Sequence, residues 1–212
     1  QDEIIAQAIV FFIAGFETTS TTLTNTIFEF VHNPHIQEKL YKEVKTKLDG
    51  VDPTDLQRYY EIVCNEIPYL DAVLKESLRK NPPGARLERR LAADNYTLGK
   101  LQLEKNTLIE VSILSVHYDE KNYPQPEKYD PERFMPENKH KLVPYSYLPF
   151  GIGPRNCVGM RFAYQEAKIC LASLVQKFIF KKSPNTPNEL SYRRGTGNLF
   201  PNPFEVCVTS RS

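Results

Sequence analysis

Residues 150–159 read FGIGPRNCVG, which places Cys157 in a glycine-rich turn two residues after Arg155. The residues that follow, 160–177, carry apolar side chains at helical spacing, so the cysteine is expected near the N-terminus of a helix. Helix N-termini, oriented backbone N–H groups and neighbouring arginines all lower the pKa of a cysteine and favour its thiolate. The glycines of the turn permit positive φ angles and let the backbone approach a flat ligand closely. This arrangement suits a thiolate bound to haem iron.

The composition is that of a globular protein with little net charge. The chain has 212 residues, of which 41% are hydrophobic and 25% charged, and its formal net charge is +1. A folded core is therefore expected, and no long Lys/Arg run indicates nucleic-acid binding. The cysteines are far apart and form no Cys-x-x-Cys pair, so we predict free thiols in a reducing compartment, without a zinc site or a disulfide framework. They are Cys64, Cys157, Cys170 and Cys207.

Hydrophobic periodicity and helix-breaking residues divide the chain into helices and a few short strands. Helices are predicted at about 2–31, 36–48, 56–65, 69–80 and 160–177, with Asp55 as the N-cap of the third. Strands are predicted at 96–98 and 107–111 in one small sheet, and at 178–182 and 204–208 as a C-terminal pair, whereas residues 116–141 are expected to be irregular. The pattern predicts a mainly α fold with small β-sheets (α+β).

The first predicted helix opens with a strongly apolar stretch, residues 4–16, which ends at Glu17. A membrane span needs about 20 apolar residues, so we expect a core helix here. The chain shows neither an initiator methionine nor a signal or transit segment, and it opens inside a predicted helix. It is therefore expected to be a fragment.

The cysteine turn resembles the haem-binding signature of the cytochrome P450 family, Phe-x-x-Gly-x-Arg-x-Cys-x-Gly. Phe150, Gly153, Arg155, Cys157 and Gly159 occupy every fixed position of that signature. The resemblance implies that these residues bind haem b, iron protoporphyrin IX, and that Cys157 is the proximal ligand of its iron. It also implies that Arg155 pairs with a haem propionate and that Phe150 packs beside the sulfur.

A second motif interrupts the first helix, where residues 14–20 read AGFETTS. The plain interpretation is a helix whose hydroxyls bond back to carbonyls. The stretch also resembles the family's Ala/Gly-Gly-x-Asp/Glu-Thr-Thr/Ser motif, which implies a local distortion of the helix. By that resemblance Gly15 leaves room for a ligand, and Thr18 with Glu17 helps deliver protons. Because isomerases of the family commonly lack this threonine, Thr18 favours a monooxygenase.

Glu76 and Arg79 stand three residues apart on one predicted helix and can therefore pair. An exposed ion pair is the simplest interpretation. Together with Arg133 in the run Pro-Glu-Arg-Phe, however, they resemble the family's Glu-x-x-Arg helix and its later arginine partner. The resemblance implies a buried structural cluster in which Glu76 holds both arginines.

Three further positions need assignment. Arg89 follows the two prolines at 82–83 at the distance where the family places a propionate-binding arginine, so the resemblance implies that role for it. Arg86 and Arg90 are competitors, and a solvated charge cluster is the alternative. Asn81 departs from the aromatic residue often found before those prolines. His117 lacks an acid-base partner at diagnostic spacing and is interpreted as a structural or surface histidine.

The motifs follow the family's order from residue 14 to residue 159, and the combination of 12–18 with 86–89 looks most like the microsomal animal branch that metabolises xenobiotics. The resemblance implies that residues 1–212 are one partial domain, running from the long central helix through the cysteine loop and the following helix. It implies a monooxygenase for lipophilic small molecules, supplied by NADPH-cytochrome P450 reductase and in some members by cytochrome b5. The parent protein would lie on the cytoplasmic face of the endoplasmic reticulum membrane through an upstream anchor. The alternative is a catalytically inert, haem-binding fragment that lacks the upstream helices.

Overall fold

The structure, a computed structural model, describes residues 1–195 and 197–211 and is mainly helical. The six helices are α1 (Asp2–His32), α2 (Pro34–Leu48), α3 (Leu56–Asn65), α4 (Pro68–Lys80), α5 (Ile113–His117) and α6 (Met160–Lys177). The six strands are β1 (Arg86–Arg90), β2 (Tyr96–Leu98), β3 (Leu101–Leu103), β4 (Leu108–Ser112), β5 (Phe178–Lys182) and β6 (Val206–Ser210). The predicted α+β class is confirmed.

Helix boundaries follow the local sequence signals. Proline opens both α2 and α4, at the first-turn position where its missing N–H is not needed. The Asp55 carboxylate accepts a hydrogen bond from the backbone N–H of Arg58 and caps α3, as predicted. Two successive prolines after Asn81 end α4 because they cannot continue the helical hydrogen bonds.

The strands form three separate antiparallel pairs instead of one small sheet and a C-terminal pair. β1 pairs with β4, with Leu87 opposite Val111, and β2 pairs with β3 within the connection between them. Strand β1 consists mostly of charged residues and therefore lacks a clear alternation of apolar and polar side chains. For this reason its extent was not predicted. In the third pair, β6 begins at Val206, two residues later than expected, and pairs with β5.

The segment expected to be irregular contains two 3-10 helices, Pro131–Phe134 and Pro136–Lys141. The first packs against α4. The core lies between the C-terminal half of α1, helices α2, α4 and α6, and β5, and its most deeply buried apolar side chains are Phe30, Leu40, Leu70, Val73 and Leu171.

The N-terminal half of α1 is left uncovered by the rest of the described chain. Ile4 and Phe12 are each 75% exposed and Phe16 is 67% exposed, because the elements of the described chain pack only on the C-terminal half. Within residues 1–195 and 197–211, α1 is the one helix long and apolar enough, by length and composition, to cross a membrane. The core helices of soluble proteins pass the same test, so this finding does not assign a span.

Candidate functional site

A cleft of about 310 Å³ lies between α1, the connection from α4 to β1, the cysteine turn and the first turns of α6. Its wall is largely apolar. The residues that line it include Thr18, Leu74, Leu78, Pro83, Gly84, Arg86, Leu87, Ile113, Phe150, Gly151, Arg155, Cys157, Ala163, Ala167 and Asn198. Distant parts of the sequence thus meet around one space suited to a largely apolar ligand.

Backbone hydrogen bonds shape the cysteine turn and direct Cys157 toward this cleft. The Cys157 N–H donates to the Phe150 carbonyl at 2.8 Å, which closes the turn. Within it, Gly153–Arg155 form a single 3-10 turn, and α6 begins at Met160 with Gly159 as its N-cap. Cys157 is exposed and lies just before the helix N-terminus, as the sequence predicted.

Two glycines of the turn have positive φ angles, +69° at Gly151 and +79° at Gly153, which other residues rarely adopt. A Cβ atom on Gly151 would also lie 3.3 Å from Leu87 Cδ2, across the cleft wall. A Cβ on Gly159 would lie 4.0 Å from the Cys157 sulfur, an ordinary contact. Backbone conformation and close packing therefore require glycine most strongly at Gly151.

Phe150 and Arg155 flank the thiol on the cleft wall. The Phe150 ring is half-buried and packs against Tyr164, with ring centroids 5.1 Å apart. Arg155 is exposed, and within the described residues its guanidinium forms neither an ion pair nor a hydrogen bond. The turn thus presents an apolar ring and a cation beside the same sulfur.

The structure separates the two residues of the predicted proton-delivery pair. Thr18 lines the cleft, and its hydroxyl donates to the Ala14 carbonyl at 2.7 Å. Glu17 lines a neighbouring cleft instead, together with Ser20 and Arg193. Thr18 and Glu17 therefore open onto different spaces on either side of α1.

Helix α1 is continuous across residues 14–20, all of which the structure describes, so the motif does not break the helix. The hydroxyl of Thr18 bonds back to the preceding turn, as the plain interpretation predicted. No heavy atom beyond the local helix lies within 4 Å of a Cβ built on Gly15, so the space beside it is open within the described residues.

Among the arginines of β1, the structure brings Arg86 and not Arg89 to the cleft. The Arg89 side chain is exposed and donates to the neighbouring Glu88 carbonyl at 2.7 Å. The Nε of Arg86 pairs with Glu88, on the same strand, and with Glu110 on β4. Position along the chain did not distinguish the three arginines.

Glu76 and Arg79 form a fully buried ion pair. Arg79 Nε and Nη2 donate to the two Glu76 carboxylate oxygens at 2.7 and 2.9 Å, and the remaining Arg79 donors bond to backbone carbonyls of residues 117, 126 and 128. The Glu76 carboxylate also accepts from the Asp130 N–H at 2.9 Å. Burial opposes the charge on Arg79, but its bonds to Glu76 outweigh burial and raise the pKa of Arg79. The pair therefore holds the irregular segment against α4.

Arg133 reaches the cluster less closely than the resemblance implied. Its Nε lies 3.5 Å from Glu76 Oε1, close enough for an ion pair but without a hydrogen bond. Its Nη2 donates to the Gln125 carbonyl at 2.9 Å. Arg133 thus contributes mainly charge to the Glu76 carboxylate.

His117 links this cluster to the cysteine turn, a connection that the sequence did not reveal. It is fully buried; its Nδ1 bonds to the Arg79 carbonyl at 2.9 Å, and its Nε2 accepts from the Leu148 N–H at 2.9 Å. These partners require a neutral ring protonated at Nδ1. Burial lowers the pKa of His117 to about 4. Of the two interpretations left open, the structural histidine is confirmed.

The residues around the cleft fit a haem. Cys157, Arg86 and Arg155 all line this largely apolar cleft; a thiol suits a metal, and guanidinium groups suit carboxylates. Gly151 keeps the backbone free of a side chain where a Cβ would press against Leu87. The donor set and shape are those expected for a flat, apolar cofactor with two acidic groups and a metal that takes one sulfur ligand.

Comparisons with known proteins agree with this geometry. The cytochrome P450 family model matches residues 1–208. The chain is 43% identical to cytochrome P450 3A2 of Rattus norvegicus over 192 residues, which are 91% of this chain and 37% of that protein. It is 40% identical to the probable cytochrome P450 6a14 of Drosophila melanogaster, a match that covers 91% of this chain and 38% of that protein. It is 42% identical to cytochrome P450 9e2 of Blattella germanica, a match that covers 88% of this chain and 34% of that protein.

These relatives all come from animals, in agreement with the branch that the motifs resemble. The chain spans little more than a third of their length. The match to the family model covers nearly the whole chain and includes the cysteine turn that lines the cleft. This chain therefore belongs to the cytochrome P450 family.

Proposed function

We propose that this chain supplies the haem-thiolate centre of a monooxygenase that acts on lipophilic small molecules. One observation carries the proposal: Cys157 and Arg155 of the cysteine turn both line one largely apolar cleft. A bound haem would supply the redox chemistry, in which one atom of O₂ enters the substrate and the other leaves as water, with two electrons and two protons consumed.

The residues of the cysteine turn bind and shield the cofactor. Cys157 provides the sulfur ligand, and the Phe150 ring restricts access of water to it. Arg155 and Arg86 each bind one propionate by charge-assisted hydrogen bonds. For Arg86 this requires exchanging its contact with Glu88 or Glu110 for the cofactor carboxylate. We therefore propose Arg86, which lines the cleft, for the role that the resemblance implied for Arg89.

Thr18 moves protons at its hydroxyl. That hydroxyl must turn away from the Ala14 carbonyl to donate its proton into the cleft, and it is then reprotonated from water. Glu17, on the neighbouring cleft, exchanges protons with solvent. Because the two side chains open onto different clefts, a relay between them requires at least one bridging water.

The parent protein would receive its electrons from NADPH-cytochrome P450 reductase, with cytochrome b5 as an additional donor. We place it on the cytoplasmic face of the endoplasmic reticulum membrane. The similarity to animal cytochromes P450 of the 3A, 6 and 9 groups supports both assignments.

The test is the absorption of the reduced carbon monoxide complex. The full-length protein should show the band characteristic of thiolate ligation, and Cys157→Ala should abolish it. Cys207→Ala is the matched control, because Cys207 is also exposed but lies on β6, outside the cleft. A Cys157→Ala protein that kept the band would refute the assignment of the ligand.

A further inference from the structure

Asn81 is a junction between α1, α4 and the C-terminal part of the chain, and the proposed chemistry gives it no role. It ends α4 and is 6% exposed. Its backbone carbonyl accepts from Asn25 Nδ2 at 3.1 Å, its side-chain Nδ2 donates to Glu29 Oε1 at 2.9 Å, and its Oδ1 accepts from the Tyr192 hydroxyl at 3.0 Å. A phenylalanine at this position would form neither side-chain bond.

Glu29 fixes which way the Asn81 amide points. The Glu29 carboxylate is 2% exposed and pairs with Lys80 Nζ at 3.0 Å. Because a carboxylate only accepts, the NH₂ group of Asn81 must face Glu29, and its carbonyl oxygen must face Tyr192. Burial raises the pKa of Tyr192 to about 12, so its hydroxyl keeps the proton that it donates.

The segments on both sides of the Tyr192–Asn81 bond form part of the cleft wall. On the α4 side, the cleft is lined by Pro83 and Gly84, which are two and three residues after Asn81. On the other side Asn198 lines it and forms a bridge with Gly84.

The same two segments are joined by backbone bonds. The Leu199 N–H donates to the Pro83 carbonyl at 2.7 Å. Tyr192 forms a bridge with Pro201, and the Arg193 N–H donates to the Phe200 carbonyl at 2.8 Å. Tyr192 therefore lies beside residues 198–201, the segment that contains the cleft-lining residue Asn198. Its bond to Asn81 links this segment to the C-terminal end of α4.

We infer that the Tyr192–Asn81 hydrogen bond is a positioning contact that reinforces the direct backbone bond between Leu199 and Pro83, holds residues 83–84 beside residues 198–199 and thereby selects apolar ligands by width. Without this bond, residues 83–84 and residues 198–199 can move apart. The cleft then binds wide ligands more tightly relative to narrow ones. This inference rests on the proposed function, which makes the cleft the place where haem and substrate lie.

Tyr192→Phe removes only the hydroxyl and is the direct test. Spectral titrations of the haem-loaded, full-length protein with imidazole and 4-phenylimidazole measure two dissociation constants, and their ratio reports selection by width. We expect the ratio to shift about 2- to 10-fold in favour of the wider ligand, the range of one neutral hydrogen bond. Tyr59→Phe, which loses a 3.0 Å bond between its hydroxyl and Ser173 outside the cleft, should leave the ratio unchanged.

Hydrogen exchange provides a readout independent of the haem ligands. The Leu199 amide, bonded to Pro83, should exchange faster in Tyr192→Phe, whereas the amides of β5 and β6 should not. Asn81→Leu should act in the same direction, and the Asn81→Leu/Tyr192→Phe double variant should shift the ratio no further than Asn81→Leu alone.

An unchanged ratio with unchanged exchange at Leu199 in Tyr192→Phe would overturn the inference, as would additive effects in the double variant. If Asn81→Leu does not fold, Tyr192→Phe still decides, because it keeps the ring. Failure of the proposed function is distinguishable, because the unaltered protein would then lack the thiolate band.

Discussion

The buried side chain of His117 connects α4 to the segment just before the cysteine turn, two parts of the chain that contribute to the proposed cofactor site. Its ring stacks beside Tyr147 and lies edge-on to Tyr123, and its two nitrogens bond to the backbone at Arg79 and Leu148. Protonation of Nε2 would place a donor against the Leu148 N–H and a second positive charge near the Arg79 guanidinium. The folded state therefore holds the ring neutral.

This neutrality predicts a pH dependence of stability. The folded pKa of about 4 lies below the ordinary 6.5, so the stabilisation is complete above pH 6.5 and is lost as pH falls toward 4. The full loss is about 3 kcal/mol. Urea unfolding at pH 7.5 and at pH 5 should show a smaller difference between the two pH values in His117→Gln than in the unaltered protein. His140→Gln, in an exposed 3-10 helix, is the control and should keep the original difference.

Thr18 provides the second prediction for a single residue. Thr18→Ala should keep the haem but divert electrons to peroxide, because the cleft loses the hydroxyl that delivers protons. The measurement is product formed per NADPH consumed in the full-length protein with reductase. Thr18→Ser retains the hydroxyl and should preserve most of the coupling. Equal coupling in the alanine and serine variants would leave the bond to Ala14 as the only role of Thr18.

Helix α4 connects the stability of the fold to the geometry of the cleft. Its buried face carries the ion pair of Glu76 with Arg79, its C-terminal end continues into the cleft wall at Pro83, and α6 packs on it with the cysteine turn at its N-terminus. Each guanidinium nitrogen of Arg79 donates a hydrogen bond to an oxygen atom. These bonds offset the unfavourable free energy of removing the charge from water.

Truncations in the Glu76 cluster should therefore differ in severity. Glu76→Ala and Arg79→Ala each leave a buried charge without its partner and should lower the free energy of unfolding by about 3–5 kcal/mol. Arg133→Ala should cost less, because its Nε lies 3.5 Å from Glu76 without a hydrogen bond. The yield of haem-containing protein and urea unfolding measure the effect.

A matched control for this series is Glu66→Ala. Glu66 pairs with Arg58 at 2.9 Å on the surface, where such a pair contributes at most about 1 kcal/mol. Normal amounts of haem protein from Glu76→Ala would show that the cluster is no more important than this surface pair.

At the scale of the whole molecule, the exposed half of α1 dominates the behaviour of the 212-residue chain. Ile4, Phe12 and Phe16 all belong to a contiguous apolar surface that the described chain leaves open. Apolar surfaces of this kind favour association with other apolar surfaces. The cleft is likewise not enclosed by the described chain.

Expressed alone, the 212-residue chain should self-associate and should not turn over substrate, even if it binds haem. Size-exclusion chromatography measures association, and co-expression with reductase and a panel of lipophilic compounds measures NADPH-dependent product. Ile4→Lys/Phe12→Lys should reduce association without changing haem binding, because neither residue lines the cleft. Robust turnover by the purified chain would contradict this expectation and the inert-fragment alternative with it.

The sequence by itself determined most elements and the identity of the cysteine turn. Helix boundaries depend on caps, prolines and periodicity, which lie within a few residues of the position they affect, so α2, α3, α4 and α6 begin and end within about two residues of their predicted limits. The turn at 150–159 is equally local, because its glycines, proline and closing hydrogen bond all lie within ten residues.

Only the tertiary structure decided which side chains meet. Arg86 instead of Arg89 lines the cleft, Glu17 and Thr18 open onto different clefts because of how α1 is packed, and His117 bridges residues 38 positions before it and 31 after it. The exposure of residues 4–16 likewise depends on what packs against them. Periodicity shows that one face of an element is apolar. Which segment covers that face, and which group pairs with each buried charge, depend on contacts between segments far apart in the chain.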